Sequence, residues 1–485
     1  MKTITLSKKY KILPTEEQRE YLNLILSLKG SIHNASLKAF GILFPFYDTF
    51  EVQTYLKAKY NSPDELFEHL RQIGTQIMKD DYHKAFESDK KYNSDDMAKD
   101  IISHIMPEVQ KIFPIMQTNM KSTVIEFLDG KIDEDHFLLT VRKFYAKTLL
   151  NAFNHNMKLS DAKELFERHE PKLIYIQSQI RQSFVEDFYT TMKRHFDVSV
   201  AGKKVGYPNY VGGKHKIQTA ILIKQHLETN IQPDKGILKI PQSRDKMLST
   251  NEVHILNWHD DWTKHKMART LIHKDHKGDF YIIVPYEVEC FNIDHAKEKV
   301  GIDPGIATML TLYDGEEFYE IQPPKRIVKY MEKLQKMSTV LSKKVRGSNR
   351  YYKLLDKINK THRKMTNIRR DFNHKVTKRL VTKYKQINFE AADVNGWKTD
   401  NKSTRNHQLQ NLLNLGQFGD FLKYKSEKYS STYKVILGYE KATRTCSSCN
   451  HDNGKLDVTI RDFVCNSCGF EIGRDRNAAI NIFNH

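Results

Sequence analysis

The sequence lacks the features of a membrane-spanning or secreted protein. No run of about 18 consecutive apolar residues, the length that crosses a bilayer, occurs in its 485 residues. The first residues read as a short strand and carry no apolar signal segment. The chain has only five cysteines, and nothing in it suggests the oxidising compartment in which a disulfide framework forms. We therefore expect a cytoplasmic protein with no membrane partner.

Acidic residues are scarce in one long segment. Across the chain 78 Lys and Arg face 59 Asp and Glu, a formal net charge of +19. Between Lys325 and Lys385 there are 21 Lys or Arg but only three acids, so this basic segment carries +18 of the excess. An ordinary solvated helix interleaves acids with bases, because opposite charges three or four residues apart pair with each other. The imbalance instead predicts a surface that binds the phosphate backbone of nucleic acid.

The basic segment is predicted to form two helices, because apolar residues recur at helical spacing on both sides of an interruption at residues 346–348. Tyr351, Tyr352 and Phe372 could stack on unpaired bases, but at helical spacing they fit a helix core equally well. We expect nucleic-acid contacts from eight cations of the segment: Lys343, Lys344, Arg346, Arg350, Arg363, Lys364, Arg369 and Arg370.

Four of the five cysteines form two Cys-x-x-Cys pairs with fifteen residues between them: Cys446, Cys449, Cys465 and Cys468. This spacing predicts a tetrahedral Zn²⁺ site in a zinc ribbon, because each pair forms a knuckle and the intervening hairpin brings the knuckles together. Asn450 and Gly469 follow the pairs, where a knuckle needs a residue that tolerates positive φ. The alternative is that the four cysteines are unrelated thiols or form two disulfides. This alternative is disfavoured because the chain has only one other cysteine, Cys290, and no sign of secretion.

The chain passes through successive regimes of secondary structure. A strand over residues 2–13 precedes a capping-box signal at Thr15 and Gln18, and amphipathic helical patterns continue to about His195. The pattern then changes near residues 203–208, and four strands are expected after it, at 217–223, 236–240, 267–272 and 280–288. The last two of these strands are predicted to form a hairpin across residues 276–278.

A further regime begins at Val300. Strands are expected at 300–303, 307–313, 318–321, 386–390 and 433–437, with a tight turn at Asp314 and Gly315 and a helix over 408–429. The order is a strand hairpin, long helix, strand, helix, strand and final helix. That order predicts an RNase H-like α/β fold.

Three carboxylates lie where this fold would bring distant segments together: Asp303 on the first strand, Glu390 at the end of a later strand and Asp475 at the start of the last helix. Clustered acids hold hard cations such as paired Mg²⁺ ions and leave positions for water and a phosphodiester. Each acid alone has a structural alternative, respectively a turn former, a strand-end charge and an N-cap. Asp393 is also near Glu390, but it precedes Val-Asn-Gly, where a turn role is expected.

The chain resembles the transposon-encoded TnpB nucleases and their descendants, the miniature type V CRISPR effectors. The resemblance covers residues 1–20 and about 200–485, and its most specific part is the paired cysteines followed by Asp475-Arg-Asn-Ala-Ala-Ile-Asn481. The other matching segments are 10–18, 206–208, 301–305, 346–350, 389–390 and the rest of the run 443–481.

The resemblance implies a multidomain α/β protein. An RNase H-like RuvC nuclease domain with an inserted zinc ribbon would follow a β-barrel-like wedge domain, which an α-helical recognition lobe interrupts. The implied bounds are 1–17 and 201–297 for the wedge domain, 18–200 for the lobe, 298–440 for RuvC, 441–472 for the zinc ribbon and 473–485 for the last RuvC motif. The zinc ribbon would be an insertion that binds the target nucleic acid.

The resemblance also implies an activity, that of a prokaryotic, nucleoid-associated RNA-guided endonuclease that cuts double-stranded DNA. A guide RNA and the target DNA would be its partners, and recognition of a short flanking motif would precede cleavage. Asp303, Glu390 and Asp475 would be the catalytic residues of a single RuvC site and would hold two Mg²⁺ ions, with zinc in a structural role. Gly473 and Ala391 stand where the family often has Asp, but neither change removes a metal ligand.

Two other functions remain open at this point: a nuclease-inactive RNA-guided repressor, and a guide-independent, structure-selective nuclease. The three acids argue against the first. The zinc ribbon and the large helical lobe argue against the second. The sequence leaves open whether the guide is a transposon-end RNA or a CRISPR RNA, which flanking motif is read, and whether a monomer or a homodimer binds each guide.

Overall fold

The chain forms two compact units, Thr5–Glu287, and Val288–His485 together with Met1–Ile4. The structure is a computed structural model. It describes residues 2–44, 62–87, 94–158, 162–196, 206–212, 217–224, 230–258, 269–275, 277–305, 308–391, 414–437, 442–454, 456 and 461–485.

The N-terminal half of the first unit is helical, as the sequence predicted. Its first helix begins with the predicted capping box: Thr15 Oγ1 accepts the Gln18 N–H at 3.3 Å, and Gln18 Oε1 accepts the Thr15 N–H at 2.9 Å. Such reciprocal bonds satisfy amide groups that a helix start leaves unpaired. The helices are α1 Glu16–Leu43, α2 Pro63–Phe86, α3 Asp95–Asn119, α4 Lys121–Leu128, α5 Glu134–Asn156, α6 Lys163–His169 and α7 Ser178–Phe196.

Helices α1, α3, α5 and α7 pack around a shared aromatic core. Phe40 of α1 is fully buried, and its ring centroid lies 5.4 Å from that of Phe153 and 6.3 Å from that of Phe188. Tyr145, also fully buried, donates its hydroxyl to the Leu43 carbonyl at 3.1 Å. The aromatic area removed from water stabilises this helical layer, while the hydroxyl keeps a partner.

The first unit also contains a seven-stranded sheet in the order β2-β6-β7-β1-β5-β4-β3. The predicted hairpin is confirmed: β6 and β7 pair antiparallel with Ile272 opposite Ile282, and Gly278 in the connection has a φ of 85°. His276 of that connection lies outside the described residues. The strands are β1 Thr3–Leu13, β2 Thr219–Ile223, β3 Ile231–Gln232, β4 Ile237–Lys239, β5 Glu252–Ile255, β6 Thr270–Lys274 and β7 Phe280–Glu289.

Two of these strands, β3 and β5, were not predicted. Strand β3 has two residues and β5 has four, which is too short for an alternating pattern to stand out from a loop. They form because neighbouring strands offer unpaired backbone groups; Val253 of β5, for example, lies opposite Leu238 of β4.

The second unit is built on a five-stranded sheet in the order β10-β9-β8-β11-β12. Strand β8 pairs antiparallel with β9, and β9 pairs antiparallel with β10. On its other side β8 pairs parallel with β11, which pairs parallel with β12. The strands are β8 Lys297–Pro304, β9 Leu310–Tyr313, β10 Phe318–Ile321, β11 Tyr384–Ala391 and β12 Thr432–Leu437, and a separate hairpin joins β13 Asp462–Val464 to β14 Glu471–Gly473.

The helices of the second unit connect these strands in the predicted order. The basic segment is two helices, and Gly347, with a φ of 92°, lies at the predicted interruption between them. The helix expected over 408–429 is described from Leu415, since residues 408–413 lie outside the described part. The helices are α8 Lys325–Ser342, α9 Asn349–Lys383, α10 Leu415–Lys428 and α11 Arg474–Asn484.

The core of the second unit lies where α8, α9 and α10 cover the sheet. It contains Val300 and Ile302 of β8, Phe389 of β11, Leu380 of α9 and Phe418 of α10, all buried. Both faces of the sheet are covered toward the carboxyl ends of β8 and β11, since residues 300–304 and 387–389 are all buried. Among the described helices of the whole chain, none has the length and apolar character needed to span a membrane.

Candidate functional site

The parallel pairing of β8 and β11 places two of the three predicted acids side by side. Phe389 of β11 lies opposite Ile302 of β8, so the next residues, Glu390 and Asp303, project on the same side of the sheet. A side-chain hydrogen bond joins the Asp303 and Glu390 carboxyl groups. The acids are 87 positions apart in sequence, and sheet register alone brings them together.

The third acid approaches from helix α11. Asp475 lies in its first turn, close to the end of β8: a Cβ atom added at Gly305 would lie 3.8 Å from Asp475 Oδ2. The same added atom would lie 2.7 Å from the Thr308 carbonyl oxygen, a distance that side chains do not adopt. Glycine at 305 therefore keeps the backbone beside Asp475 free of a side chain.

Burial and charge repulsion act together on Asp303. Only 5% of this residue is exposed, and burial raises the pKa of its carboxyl well above its ordinary value. The nearby charges of Glu390 and then Asp475 raise the pKa of Asp303 further, while the Arg474 guanidinium lowers it. An acid held this way keeps its proton to higher pH than a free aspartate does, unless a cation replaces the proton.

The surroundings of the three acids favour hard-cation ligation. Carboxylate oxygens are the ligands that Mg²⁺ prefers, and the mutual repulsion around buried Asp303 is what a divalent cation would relieve. Among the described residues, only the four cysteines bring all their ligand atoms within 4.8 Å of one another. The oxygen atoms of the three carboxylates are therefore not all within that distance of one another.

The structure disagrees with two of the structural alternatives for these acids. Asp303 lies inside strand β8 and pairs with Thr311 of β9, so it forms no turn. Helix α11 has Gly473 at its N-cap, and Asp475 follows inside the first turn. Glu390 does lie near the end of β11. Asp393 is outside the described residues.

The four cysteines form a compact cluster. The Sγ atoms of Cys446 and Cys468 are 3.7 Å apart, and those of Cys449 and Cys465 are 3.6 Å apart. Four sulfurs around one Zn²⁺ at about 2.3 Å are roughly 3.8 Å from each other, whereas a disulfide requires about 2.05 Å. The cluster can hold a tetrahedral metal ion, and none of its members is in a disulfide.

The knuckles have the predicted backbone shape. Asn450 has a φ of 61° and Gly469 a φ of 71°, both in the left-handed region. The Cys468 and Ser467 N–H groups donate to Cys465 Sγ at 3.5 and 3.4 Å. Both bonds stabilise the Cys465 thiolate, and the bond from the Cys468 N–H has the larger effect. They help to lower the pKa of Cys465 to about 6. The backbone thus helps to prepare one ligand for a metal.

The basic segment is a long exposed helical surface. Six of the eight predicted nucleic-acid contacts are exposed, and the other two, Lys344 and Arg369, are half-buried. Burial lowers the pKa of Arg369, so part of its side chain packs in the protein. The acids Asp356 and Asp371 pair with lysines four residues on, at 2.6 and 2.8 Å, and this leaves the segment strongly positive.

The three aromatic residues of the basic segment have different surroundings. Tyr352 is 57% exposed, as a base-stacking residue would be. Phe372 packs against the core of the second unit, which makes it a core residue. Tyr351 is half-buried, and its ring meets that of Tyr352 edge to face at 5.6 Å between centroids.

Sequence reasoning missed three buried asparagines around helix α11. Asn477 and Asn481 bond the backbone near the first cysteine pair, and Asn388 of β11 donates to the Ile482 carbonyl at 2.8 Å. Asn477 and Asn388 are fully buried and Asn481 is 8% exposed. The available signal was two asparagines four residues apart on one helix face beside alanines.

Two protein families match segments in the C-terminal part of the chain. Residues 283–400 match a protein family described as "Probable transposase". Residues 416–482 match a family described as "Cas12f1-like, TNB domain". The second match includes all four cysteines, Asp475, Asn477 and Asn481.

Curated relatives match over less than half of the chain. A Streptomyces pristinaespiralis protein named "Putative RNA-guided DNA endonuclease" is 29% identical over 44% of this chain and 51% of its own length. "TnpB-like protein L79" of Acanthamoeba polyphaga mimivirus is 29% identical over 44% of this chain and 42% of its own. An Escherichia coli K12 protein named "Putative RNA-guided DNA endonuclease InsQ" is 30% identical over 42% of this chain and 53% of its own. The chain thus spans about half the length of these relatives.

A solved structure described as "Cryo-EM structure of the Cas12f1-sgRNA-target DNA complex" aligns with 99% of this chain and 99% of its own, at 13% identity and a TM-score of 0.42. The two family matches and the curated relatives confirm the predicted resemblance to TnpB-like and Cas12f-like proteins.

Proposed function

We propose that this chain is an RNA-guided endonuclease that cuts double-stranded DNA at a Mg²⁺-dependent RuvC site formed by Asp303, Glu390 and Asp475. The observation that carries the proposal is the meeting of three acids from two strands and a helix around a buried carboxyl whose neighbours raise its pKa. Perturbed carboxyls of this kind cluster at functional sites, and here they lie in the part of the chain that resembles RNA-guided endonucleases.

The strand order of the second unit supports an RNase H-like RuvC fold. Three antiparallel strands continue into two parallel ones, with helices inserted after β10 and β11. In the first unit, the mostly antiparallel sheet and the helical layer fit a wedge domain interrupted by a recognition lobe. The domain bounds implied by the family resemblance are part of this proposal.

The chain's own residues would perform four tasks at the acidic site. Asp303 and Glu390, fixed by sheet register, would hold cations from the strand side, and Asp475 would hold them from the helix. Two Mg²⁺ ions bound there would supply charge neutralisation for phosphodiester hydrolysis. Asp303 would release its proton when a cation binds, because the cation would offset the negative charges of Glu390 and Asp475 that disfavour the Asp303 carboxylate. Arg474, whose charge already acts on Asp303, would add a positive charge beside the phosphate.

The cysteine cluster would hold zinc in a structural role. Its four sulfur ligands complete a tetrahedral shell and leave no position for water or substrate, unlike a catalytic zinc site. The exposed cations of α8 and α9 would bind the backbone of the guide RNA or of the guide–target heteroduplex. A guide from either a transposon end or a CRISPR array is compatible with such contacts.

The decisive experiment is to purify the protein from cells, sequence the RNA that co-purifies, and assay cleavage of DNA that matches that RNA. Cleavage should require Mg²⁺ and a matched guide. Asp303→Asn and Asp475→Asn should each reduce cleavage by roughly a thousandfold while guided DNA binding persists, because the acids hold ions and not the duplex. Asp462→Asn, an exposed acid on β13, is the matched control and should cut normally.

The alternatives give different results in the same assay. Guided binding without cleavage by the wild-type protein would indicate a repressor. Cleavage of branched DNA without any bound RNA would indicate a guide-independent nuclease. Full cleavage by Asp303→Asn would remove that residue from the site.

A further inference from the structure

Helix α11 contacts the cysteine cluster and the acidic site with different faces. Asp475 is in its first turn, near the end of β8. Asn477 and Asn481, four residues apart, share a second face that meets the segment leading into the first cysteine pair. Any displacement of that segment therefore acts on the helix that carries Asp475.

The Asn477 amide holds the peptide groups on both sides of Cys446. Its Oδ1 accepts the Ser447 N–H at 2.9 Å, and its Nδ2 donates to the Thr445 carbonyl at 2.8 Å. Asn477 is fully buried, so these bonds form in a low-dielectric interior where an unpaired amide would be costly.

Asn481 repeats the contact one turn later. Its Nδ2 donates to the Thr445 carbonyl at 2.7 Å and to the Ala442 carbonyl at 2.8 Å. Ala442 and Ile482 belong to one small apolar cluster, which packs the same two segments together. The Thr445 carbonyl thus accepts bonds from both asparagines.

The other restraints on α11 act on its far end and on the backbone where the helix begins. Gly473 at the N-cap offers no side chain to cap the helix. The far end is fixed by contact with β8, where a Cβ at Gly301 would lie 2.4 Å from the Ala479 oxygen, and by the Asn388 bond to Ile482. The hairpin strand β14 leads directly into the helix, and the Arg474 N–H donates to the Arg461 carbonyl at 2.7 Å.

We propose that Asn477 and Asn481 are positioning residues that couple the two metal-binding clusters, so that a metal held by the four thiolates raises the affinity of the carboxylates for a divalent cation. The proposal rests on the proposed function of the acidic site. Ordering the Cys446 knuckle fixes the Thr445 and Ser447 peptide groups, these fix the two amides, and the amides fix the turn that carries Asp475. By reciprocity, cation binding at the acids should raise the affinity of the thiolates for zinc by the same factor.

Mn²⁺ binding tests this coupling without any cleavage assay. Full-length protein loaded with zinc would be titrated with Mn²⁺, and free Mn²⁺ would be measured by electron paramagnetic resonance. In wild-type protein that circular dichroism shows to be still folded after zinc removal, Mn²⁺ binding should be about tenfold weaker, the scale found when residues supporting metal ligands are changed. Asn477→Ala and Asn481→Ala should weaken it similarly with zinc still bound. Alanine is the better helix former, so a weaker helix would not explain the loss.

The double variant Asn477→Ala, Asn481→Ala gives the critical result. Zinc removal should no longer change its Mn²⁺ affinity, because the connection is already broken. An unchanged tenfold effect of zinc in this variant would overturn the proposal. Asn484→Ala, an exposed residue at the end of the same helix, should behave as wild type.

Two further results separate this inference from the proposed function. If wild-type protein binds no Mn²⁺, or Asp303→Asn binds it normally, the acidic site itself is wrong and the coupling falls with it. If the double variant does not fold, hydrogen exchange in the wild type decides: amides of residues 475–479 should exchange faster once zinc is removed. Equal exchange with and without zinc would contradict the proposal.

Discussion

The cysteine cluster and the acidic site are both metal-binding arrangements, but they are assembled over different distances. The four cysteines lie between positions 446 and 468, whereas the three acids lie between 303 and 475 on separate elements. The cysteine ligands are placed by two local turns with positive φ at Asn450 and Gly469. The acids are placed by sheet register and by the packing of α11. A local arrangement can be read from spacing, and a distributed one depends on the whole unit.

The two arrangements also differ in their charge balance without metal. Backbone N–H groups already stabilise the Cys465 thiolate and lower its pKa. At the acidic site burial and neighbouring carboxylates raise the pKa of Asp303. We therefore expect loss of zinc to affect folding, and loss of Mg²⁺ to leave a folded site in which Asp303 keeps its proton to higher pH than a free aspartate does.

Cys446→Ser should have the largest effect on folding. Zinc binding contributes on the order of 10 kcal/mol in small zinc domains, and Cys446 is a fully buried member of the cluster. Folded yield and zinc content, measured by metal analysis of the soluble protein, should fall together. Cys290→Ser, outside the cluster, is the control and should retain zinc. A zinc-free Cys446→Ser protein with normal yield would show that the cluster is not needed for folding.

Gly301→Ala should affect the acidic site through packing. A Cβ at 301 would lie 2.4 Å from both the Ala479 oxygen and the Phe483 nitrogen, so α11 must move away from β8. Overpacking of this kind costs about 1–3 kcal/mol or more, measurable as a lower denaturation midpoint. Gly416→Ala is the matched control, because a Cβ there meets nothing within 4 Å. A normal midpoint for Gly301→Ala would mean that this contact does not fix the helix.

The pH dependence of stability should distinguish Asp303→Asn from the wild type. Because folded Asp303 keeps its proton to higher pH than the unfolded chain does, folding takes up a proton between the ordinary pKa of 3.8 and the raised folded pKa. Without divalent cations, wild-type stability relative to Asp303→Asn should therefore be greatest below that window and fall as pH rises through it. Parallel pH profiles from thermal denaturation would contradict the assignment. Added Mg²⁺ should remove the difference at the high-pH end.

Neutralising part of the basic segment should have the smallest and most uniform effect. Arg363 and Lys364 are both exposed on α9. Changing both to Gln should weaken nucleic-acid binding equally for all guide sequences and reduce the log–log salt slope by about one unit for each phosphate that the variant no longer binds. The charge-preserving pair Arg363→Lys, Lys364→Arg is the control and should keep the slope. Sequence-dependent weakening with an unchanged slope would make the segment a base reader.

Much of the second unit could be predicted from sequence because its signals are local. The strand predicted over 300–303 lies within β8, which begins at Lys297, and the interruption at Gly347 and the knuckle residues Asn450 and Gly469 occur as predicted. In the first unit, by contrast, the short strands β3 and β5 were not predicted, because they form only by pairing with a neighbouring strand. The role of Phe372 was also open, because helical spacing alone does not tell a core face from a ligand-facing one.

The sequence by itself determined the kinds of chemistry available: thiolates paired at knuckle spacing, acids on predicted strands and a helix, and a segment of nearly unbalanced positive charge. Only the tertiary structure decided that Asp303 is buried against Glu390, and that Asn477 and Asn481 tie the helix of Asp475 to the cysteine cluster. Spacing along the chain fixes geometry over a few residues. Over longer separations, hydrogen-bond register and close packing of elements determine which side chains meet.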